Sequence, residues 1–86
     1  MKYTYSTTGT CSRSIEIETE DKDGVEVLKD VKFTGGCNGN LKGIGALAKG
    51  LPIEEVIQRL EGLTCKDKPT SCPDQLARAL KEMKNN

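Results

Sequence analysis

The sequence has 86 residues, enough for one domain over residues 1–86 but only for a small core, which has no Trp, one Phe and two Tyr to fill it. Its 13 basic residues balance its 13 acidic residues, so no overall charge favours nucleic acid or an anionic membrane as a partner. The first residues lack the apolar segment of a signal peptide, and no apolar run approaches the ~20 residues that cross a bilayer. We therefore expect a cytoplasmic protein, a setting in which sets of cysteines indicate metal or redox chemistry more often than structural disulfides.

The first part of the chain predicts three strands. The segment from Lys2 to Thr7 is rich in Tyr and Thr, which is typical of an edge strand. From Ser14 to Glu20 apolar and acidic residues alternate, as in a half-buried strand. A turn at residues 21–24 leads into a third strand from Val25 to about Thr34, in which Leu28 breaks the alternation and indicates either a bulge or a contact on the other face.

The second part predicts three helices. The first runs from Leu41 to Lys49 after a cap at Asn40, and the second begins at Pro52 and ends before Gly62. After a polar connection from Cys65 to Ser71, the last helix runs from about Pro73 to Lys84. In the first helix the apolar stripe is Leu41, Ile44, Leu47 and Ala48, and two glycines, Gly43 and Gly45, predict close packing against the sheet or a neighbour. The order predicts an α+β fold, a small antiparallel three-stranded sheet followed by three helices packed on one face.

The segment Thr70-Ser71-Cys72-Pro73-Asp74 predicts the start of the last helix. Thr70 and Ser71 can accept hydrogen bonds from the first turn, Pro73 suits its first position, and Asp74 complements the helix dipole. Amides and dipole together favour a thiolate at Cys72. The apolar stripe of this helix is Leu76, Ala77, Leu80 and Met83.

The four cysteines all lie at predicted element ends. If the hairpin turn is centred between Lys22 and Asp23, Cys11 lies roughly opposite Thr34, and Cys37 follows at the same open end of the hairpin. Cys72 begins the last helix and Cys65 stands one loop before it. The chain has no His, so His-based catalysis and mixed Cys/His sites are excluded. We therefore predict a shared metal site formed by Cys11, Cys37, Cys65 and Cys72.

The glycine-rich loop beside Cys37 suits close approach to a bound group. Gly36 lets the backbone come near a cofactor and turn its amides toward thiolate sulfur. Gly36 and Asn38 are therefore candidate cofactor contacts, although Asn38 and Asn40 are also typical turn and cap residues. The loop is not a Walker motif, because no Gly-Lys-Ser/Thr follows it.

Three segments of the chain resemble the TSCPD domain family: Gly-Thr-Cys-Ser at 9–12, Phe-Thr-Gly-Gly-Cys-Asn-Gly-Asn-Leu at 33–41 and Thr-Ser-Cys-Pro-Asp-Gln-Leu-Ala at 70–77. The family includes small stand-alone proteins and the C-terminal domain of vitamin-B12-dependent ribonucleotide reductases. The resemblance implies the label ribonucleoside-diphosphate reductase and a reductase partner. A chain of 86 residues cannot build the barrel that shields a thiyl radical, so we do not expect it to be catalytic alone.

A more distant resemblance is to NifU-type iron–sulfur scaffolds, which implies a NifU/SufE-like arrangement. Cys11, Cys37 and Cys72 match the three cysteine positions of that pattern, and residues 49–56 resemble its Lys-Gly segment followed by an acidic helix start. Ser12 and Arg13 stand where the scaffolds carry an Asp. This departure, with Cys65 as a fourth thiolate, implies a more permanent site than a transfer scaffold.

Three hypotheses follow. The first is a module that binds Zn²⁺ or an iron–sulfur cluster through the four cysteines, since all-sulfur ligation suits both. The second is a redox thiol module in which Cys65 and Cys72 form a reversible pair that relays electrons to a reductase or another thiol-redox partner. The third is an inert interaction domain whose cysteines only pack.

Overall fold

The computed structural model describes residues 2–7, 12–35, 38–64 and 70–84. Three strands precede three helices, so the predicted α+β order is confirmed. The sheet is antiparallel with strand order β1-β2-β3. Its strands are β1 (Lys2–Ser6), β2 (Ser12–Lys22) and β3 (Val25–Gly35), and the helices are α1 (Asn38–Ala48), α2 (Ile53–Leu60) and α3 (Cys72–Lys84).

The β2–β3 hairpin closes in a two-residue turn. Asp23 and Gly24 have φ angles of 54° and 87°. Two consecutive positive φ values are typical of the type I′ turn, whose twist matches that of paired strands. Lys22 therefore pairs with Val25, and Thr34 pairs with Ser14. The prediction that Thr34 lies opposite Cys11 is wrong, because the turn is one residue further along the chain than expected and a bulge shifts the register again.

That bulge explains the position of Leu28. The register shifts between the Glu18–Asp30 pair and the Thr19–Leu28 pair, which leaves Lys29 without an opposite residue. Leu28 thereby joins the buried face of the sheet and is fully buried. Of the two predicted explanations for Leu28, the bulge is the one confirmed.

One face of the sheet forms the core with the helices. The central strand contributes Ile15 and Ile17, both at most 2% exposed, and the partly buried tyrosines of β1 pack against the same cluster. Ile53, Val56 and Ile57 of α2 complete the core together with the inner face of α3. The predicted stripe of α3 is confirmed, and Ala79 is buried with it.

Helix α1 lies against β3 but differs from its prediction. It begins at Asn38, so Asn40 is a helical residue and not the cap. A methyl group on Gly45 would stand 3.1 Å from Cγ1 of Val31, whereas one on Gly43 would meet none of the described atoms within 4 Å. Of these two glycines, only Gly45 is therefore needed for the close packing of α1 against β3. Leu47 is 82% exposed and is therefore not part of the core, contrary to the predicted stripe.

The segment between α1 and α2 attaches to the turn end of the hairpin. The Gly50 amide donates to the Leu28 carbonyl at 2.7 Å, and the Leu28 amide donates to the Leu51 carbonyl at 2.9 Å. Pro52 forms a bridge with Val27 just before α2 begins. Gly50 has a φ of 87°, which allows the sharp end of α1.

Helices α2 and α3 pack antiparallel. Lys84 at the end of α3 pairs with Glu54 at the start of α2, and the Gly62 amide after α2 donates to Asp74 in the first turn of α3. Within the part of the chain described, no helix has both the length and the apolar character needed to cross a membrane.

Candidate functional site

The structure describes one of the four predicted ligands. Cys72 is the first residue of α3 and is 9% exposed. Cys11, Cys37, Cys65 and the candidate cofactor contact Gly36 lie outside the described residues. Asn38 begins α1, and nothing of its side chain is described.

Ser71 caps helix α3. Its hydroxyl accepts a hydrogen bond from the Asp74 amide at 3.2 Å and donates to the Leu63 carbonyl at 2.6 Å. Its carbonyl accepts the first helical bond, from the Gln75 amide at 2.8 Å. The helix therefore begins at Cys72, one residue earlier than predicted. The cap also ties the start of α3 to the segment that follows α2.

Thr70 has a different role from the one predicted. Instead of accepting a backbone hydrogen bond, its hydroxyl donates to the Asp74 carboxylate and accepts from the Gln75 amide nitrogen Nε2 at 2.9 Å. All three side chains are buried, at most 3% exposed. Buried polar groups are costly unless they are satisfied, and these satisfy one another. Together with Ser71 they form a polar cluster whose residues stand on both sides of Cys72 in the sequence: Thr70, Ser71, Asp74 and Gln75.

Asp74 is the centre of this polar cluster. Oδ1 accepts from the Gly62 amide at 2.8 Å, and Oδ2 accepts from Thr70 and lies 2.9 Å from Nε of Arg78. Burial by itself raises the pKa of Asp74, but the hydrogen bonds from Thr70 and Gly62 and the charge of Arg78 outweigh it, so the pKa lies below its ordinary value of 3.8. The carboxylate is therefore held ionised in the interior.

Part of this cluster could be read from the sequence. Hydroxyls before a helix and an acid in its first turn are local signals, and both were predicted for Ser71 and Asp74. Gln75 and the Gly62 amide were missed, since they join the cluster through tertiary contacts. The spacing of Asp74 and Arg78, four residues apart, was a usable signal for their ion pair.

Two contacts join the described residues that flank the cysteines. Ser12, which follows Cys11, pairs with Gly35, two residues before Cys37. Ser71, which precedes Cys72, bonds to Leu63, two residues before Cys65. No group of three or more His, Cys, Asp or Glu side chains that could hold a metal lies among the described residues, and three of the predicted ligands are not among them. The four-cysteine site thus stays a prediction.

Comparison with known families finds a match over residues 1–84 to the TSCPD domain. The resemblance seen in the sequence is confirmed over essentially the whole chain. Comparisons with curated proteins and with solved structures found no match. The more distant likeness to NifU-type scaffolds remains an expectation from the residue pattern.

Proposed function

The chain belongs to the TSCPD domain family, and we propose that it is a metal-binding module in which four cysteines hold one Zn²⁺ or a small iron–sulfur cluster. The proposed ligands are Cys11, Cys37, Cys65 and Cys72. Gly36 and Asn38 are the proposed backbone and side-chain contacts to the bound group. Family membership suggests a ribonucleotide reductase, or another thiol-redox protein, as the partner.

The chemistry of the donor set fits such a group. The chain has four cysteines and no His, so its soft donors are all sulfur. Four thiolates are a standard ligand set both for structural zinc and for iron–sulfur clusters. When bound, the metal would supply a cross-link between distant parts of the chain. The residues of the chain supply the thiolates and the backbone that holds them.

The observation that carries the proposal is the pairing of flanking residues. In an antiparallel ladder opposite Cα atoms lie about 4.5–5.5 Å apart. The Ser12–Gly35 pair therefore brings together the strand ends that lead to Cys11 and to Cys37. The hydrogen bond of 2.6 Å between Ser71 and the Leu63 carbonyl likewise brings together the two segments that lead to Cys65 and Cys72.

The attachment and length of α3 allow one site for both pairs. Its last turn is fixed at the turn end of the hairpin, because Lys84 pairs with Glu54 and Pro52 bridges to Val27. Cys72 begins the same helix about 18 Å from Lys84, at 1.5 Å per residue. Cys72 is thus remote from the hairpin turn, and so is the open end of the hairpin at Ser12 and Gly35.

A second candidate function is a thiol relay, favoured by the Ser71–Leu63 contact alone. In this function Cys65 and Cys72 lose two protons and two electrons to a disulfide of the partner, forming one disulfide here and two thiols there. Metal ligation and the relay exclude one another at any moment, because a ligated sulfur is not a free nucleophile. Loss of the metal would convert one state into the other.

Anaerobic purification followed by an absorption spectrum and a thiol titration tests the proposal. Visible absorption distinguishes an iron–sulfur cluster from zinc. We expect thiols that react fully only after a chelator is added. Four thiols that react freely without chelator, in a sample with no metal, would contradict metal binding and favour the relay.

A further inference from the structure

The carboxylate of Asp74 connects three parts of the chain. Oδ1 accepts a hydrogen bond from the amide of Gly62, two residues after the end of α2, at 2.8 Å. Oδ2 accepts the hydroxyl of Thr70, before α3, and lies 2.9 Å from Nε of Arg78 one turn along the helix. An acidic residue in the first turn usually stabilises its own helix, by capping its amides or by interacting with its dipole. Because Ser71 already caps this helix, the bond from Asp74 to Gly62 is an additional, tertiary attachment.

Cys72 lies between the attached residues. Thr70 stands two residues before it and Asp74 two residues after it, and both are 3% exposed. Two bonds hold this stretch to the end of α2: Gly62 to Asp74, and Ser71 to Leu63. The backbone of Cys72 is therefore held on both sides by contacts within the protein itself.

We infer that Asp74 is a positioning residue for Cys72. By attaching the start of α3 to the segment just after α2, Asp74 determines where the Cys72 thiol lies. The inference rests on the proposed function, in which Cys72 is a metal ligand. A ligand whose backbone is already held loses less freedom when it binds a metal, so the residues that hold ligands control metal affinity.

The test compares Asp74→Asn with Glu55→Gln. Both replace a carboxylate that pairs with an arginine four residues on, Asp74 with Arg78 at 2.9 Å and Glu55 with Arg59 at 2.7 Å, but the Glu55 pair is on the surface. Each cysteine falls in its own tryptic peptide, at residues 3–13, 33–42, 60–66 and 67–78. Mass spectrometry therefore gives a separate iodoacetamide alkylation rate for each thiol in the full chain, with a chelator present.

We expect Asp74→Asn to raise the alkylation rate of Cys72 relative to that of Cys37 roughly fivefold or more, because a buried hydrogen-bond centre is lost and the start of α3 opens locally. Zn²⁺ affinity, measured by competition with a chelator, should fall ~10- to 100-fold. Glu55→Gln should change neither quantity. If Asp74→Asn fails to fold, Thr70→Val removes one bond to the same carboxylate and serves in its place.

Two results would overturn the inference: a Cys72 rate that changes no more than in Glu55→Gln, or a parallel rise at all four cysteines, which indicates global destabilisation. Absence of both Zn²⁺ and an iron–sulfur cluster from the unsubstituted chain, purified anaerobically, would instead overturn the proposed function. The ratio of alkylation rates needs no metal and decides the positioning role in that case too.

Discussion

At the scale of single residues, the start of α3 shows how a buried charge is maintained. Asp74 is in the interior, yet its partners hold it ionised: the Thr70 hydroxyl, the Gly62 amide and the Arg78 guanidinium. The helix signals at Ser71 and Asp74 were local and could be predicted. The contact between Gly62 and Asp74 joins residues 12 positions apart, so it depends on how α2 and α3 pack.

The first prediction concerns acid stability. The pKa of folded Asp74 lies below its ordinary value of 3.8, so its contribution to stability is complete above that value. The contribution is lost as the pH falls through the lower pKa of the folded state. The reason is that the Asp74 carboxylate of the unfolded chain binds a proton at a higher pH than that of the folded chain, so acid favours unfolding. In Asp74→Asn this part of the pH dependence should be missing.

Urea midpoints measured from pH 7 to pH 2, with a chelator throughout, check this prediction. The midpoint difference between the unsubstituted chain and Asp74→Asn should shrink below about pH 4. Glu55→Gln, which removes a surface carboxylate, controls for general charge effects. A difference from Asp74→Asn that is constant over the whole pH range would refute the assignment.

At the scale of elements, boundaries and register were the parts of the prediction that failed. Strand alternation gave the three strands, and the break at Leu28 indicated the bulge. The register was wrong because it depends on which two residues form the turn, and Asp23 takes an αL conformation that alternation does not reveal. Leu47 was misassigned because helical spacing does not say how wide the buried face of α1 is.

The second prediction separates the two glycines inside α1. Gly43→Ala should raise the free energy of unfolding by up to about 1 kcal/mol, because Ala is the better helix former and its methyl group meets no neighbour within 4 Å among the described residues. Gly45→Ala should gain less or lose stability, because its methyl group would meet Val31 at 3.1 Å. Urea denaturation of both variants measures the difference, and equal gains would show that α1 does not pack closely at Gly45.

At the scale of the whole molecule, the core is small and almost entirely aliphatic. Its residues come from one face of the sheet and from the helices, α1 contributing Ala48, and the aromatic residues Tyr3, Tyr5 and Phe33 lie at its margin. Chains of this size often need a cross-link or metal in addition to their core. The α+β order could be predicted, because element order and amphipathic patterns determine it. Whether the four cysteines meet could not be derived in the same way, because it depends on the paths of the loops that carry them.

The third prediction is that the proposed metal carries much of the stability. A structural zinc site can contribute ~10 kcal/mol, comparable with the entire folding free energy of a small domain. A strong chelator at neutral pH should therefore lower the Tm of the metal-loaded protein by more than about 10 °C. A calorimetric scan with and without chelator measures the shift. An unchanged Tm in a sample that has lost its metal would show that the fold does not depend on it.

The most direct test of the four-cysteine site is the metal content of the purified chain and of its four single Cys→Ser variants, determined by elemental analysis after anaerobic purification. The site predicts about one zinc, or the iron and sulfide of one cluster, per unsubstituted chain. Each of Cys11→Ser, Cys37→Ser, Cys65→Ser and Cys72→Ser should lower that content, and Ser6→Ala on the exposed part of β1 should leave it unchanged. A metal-free unsubstituted chain, or a metal content that is the same in all four cysteine variants as in the parent, would contradict a shared site.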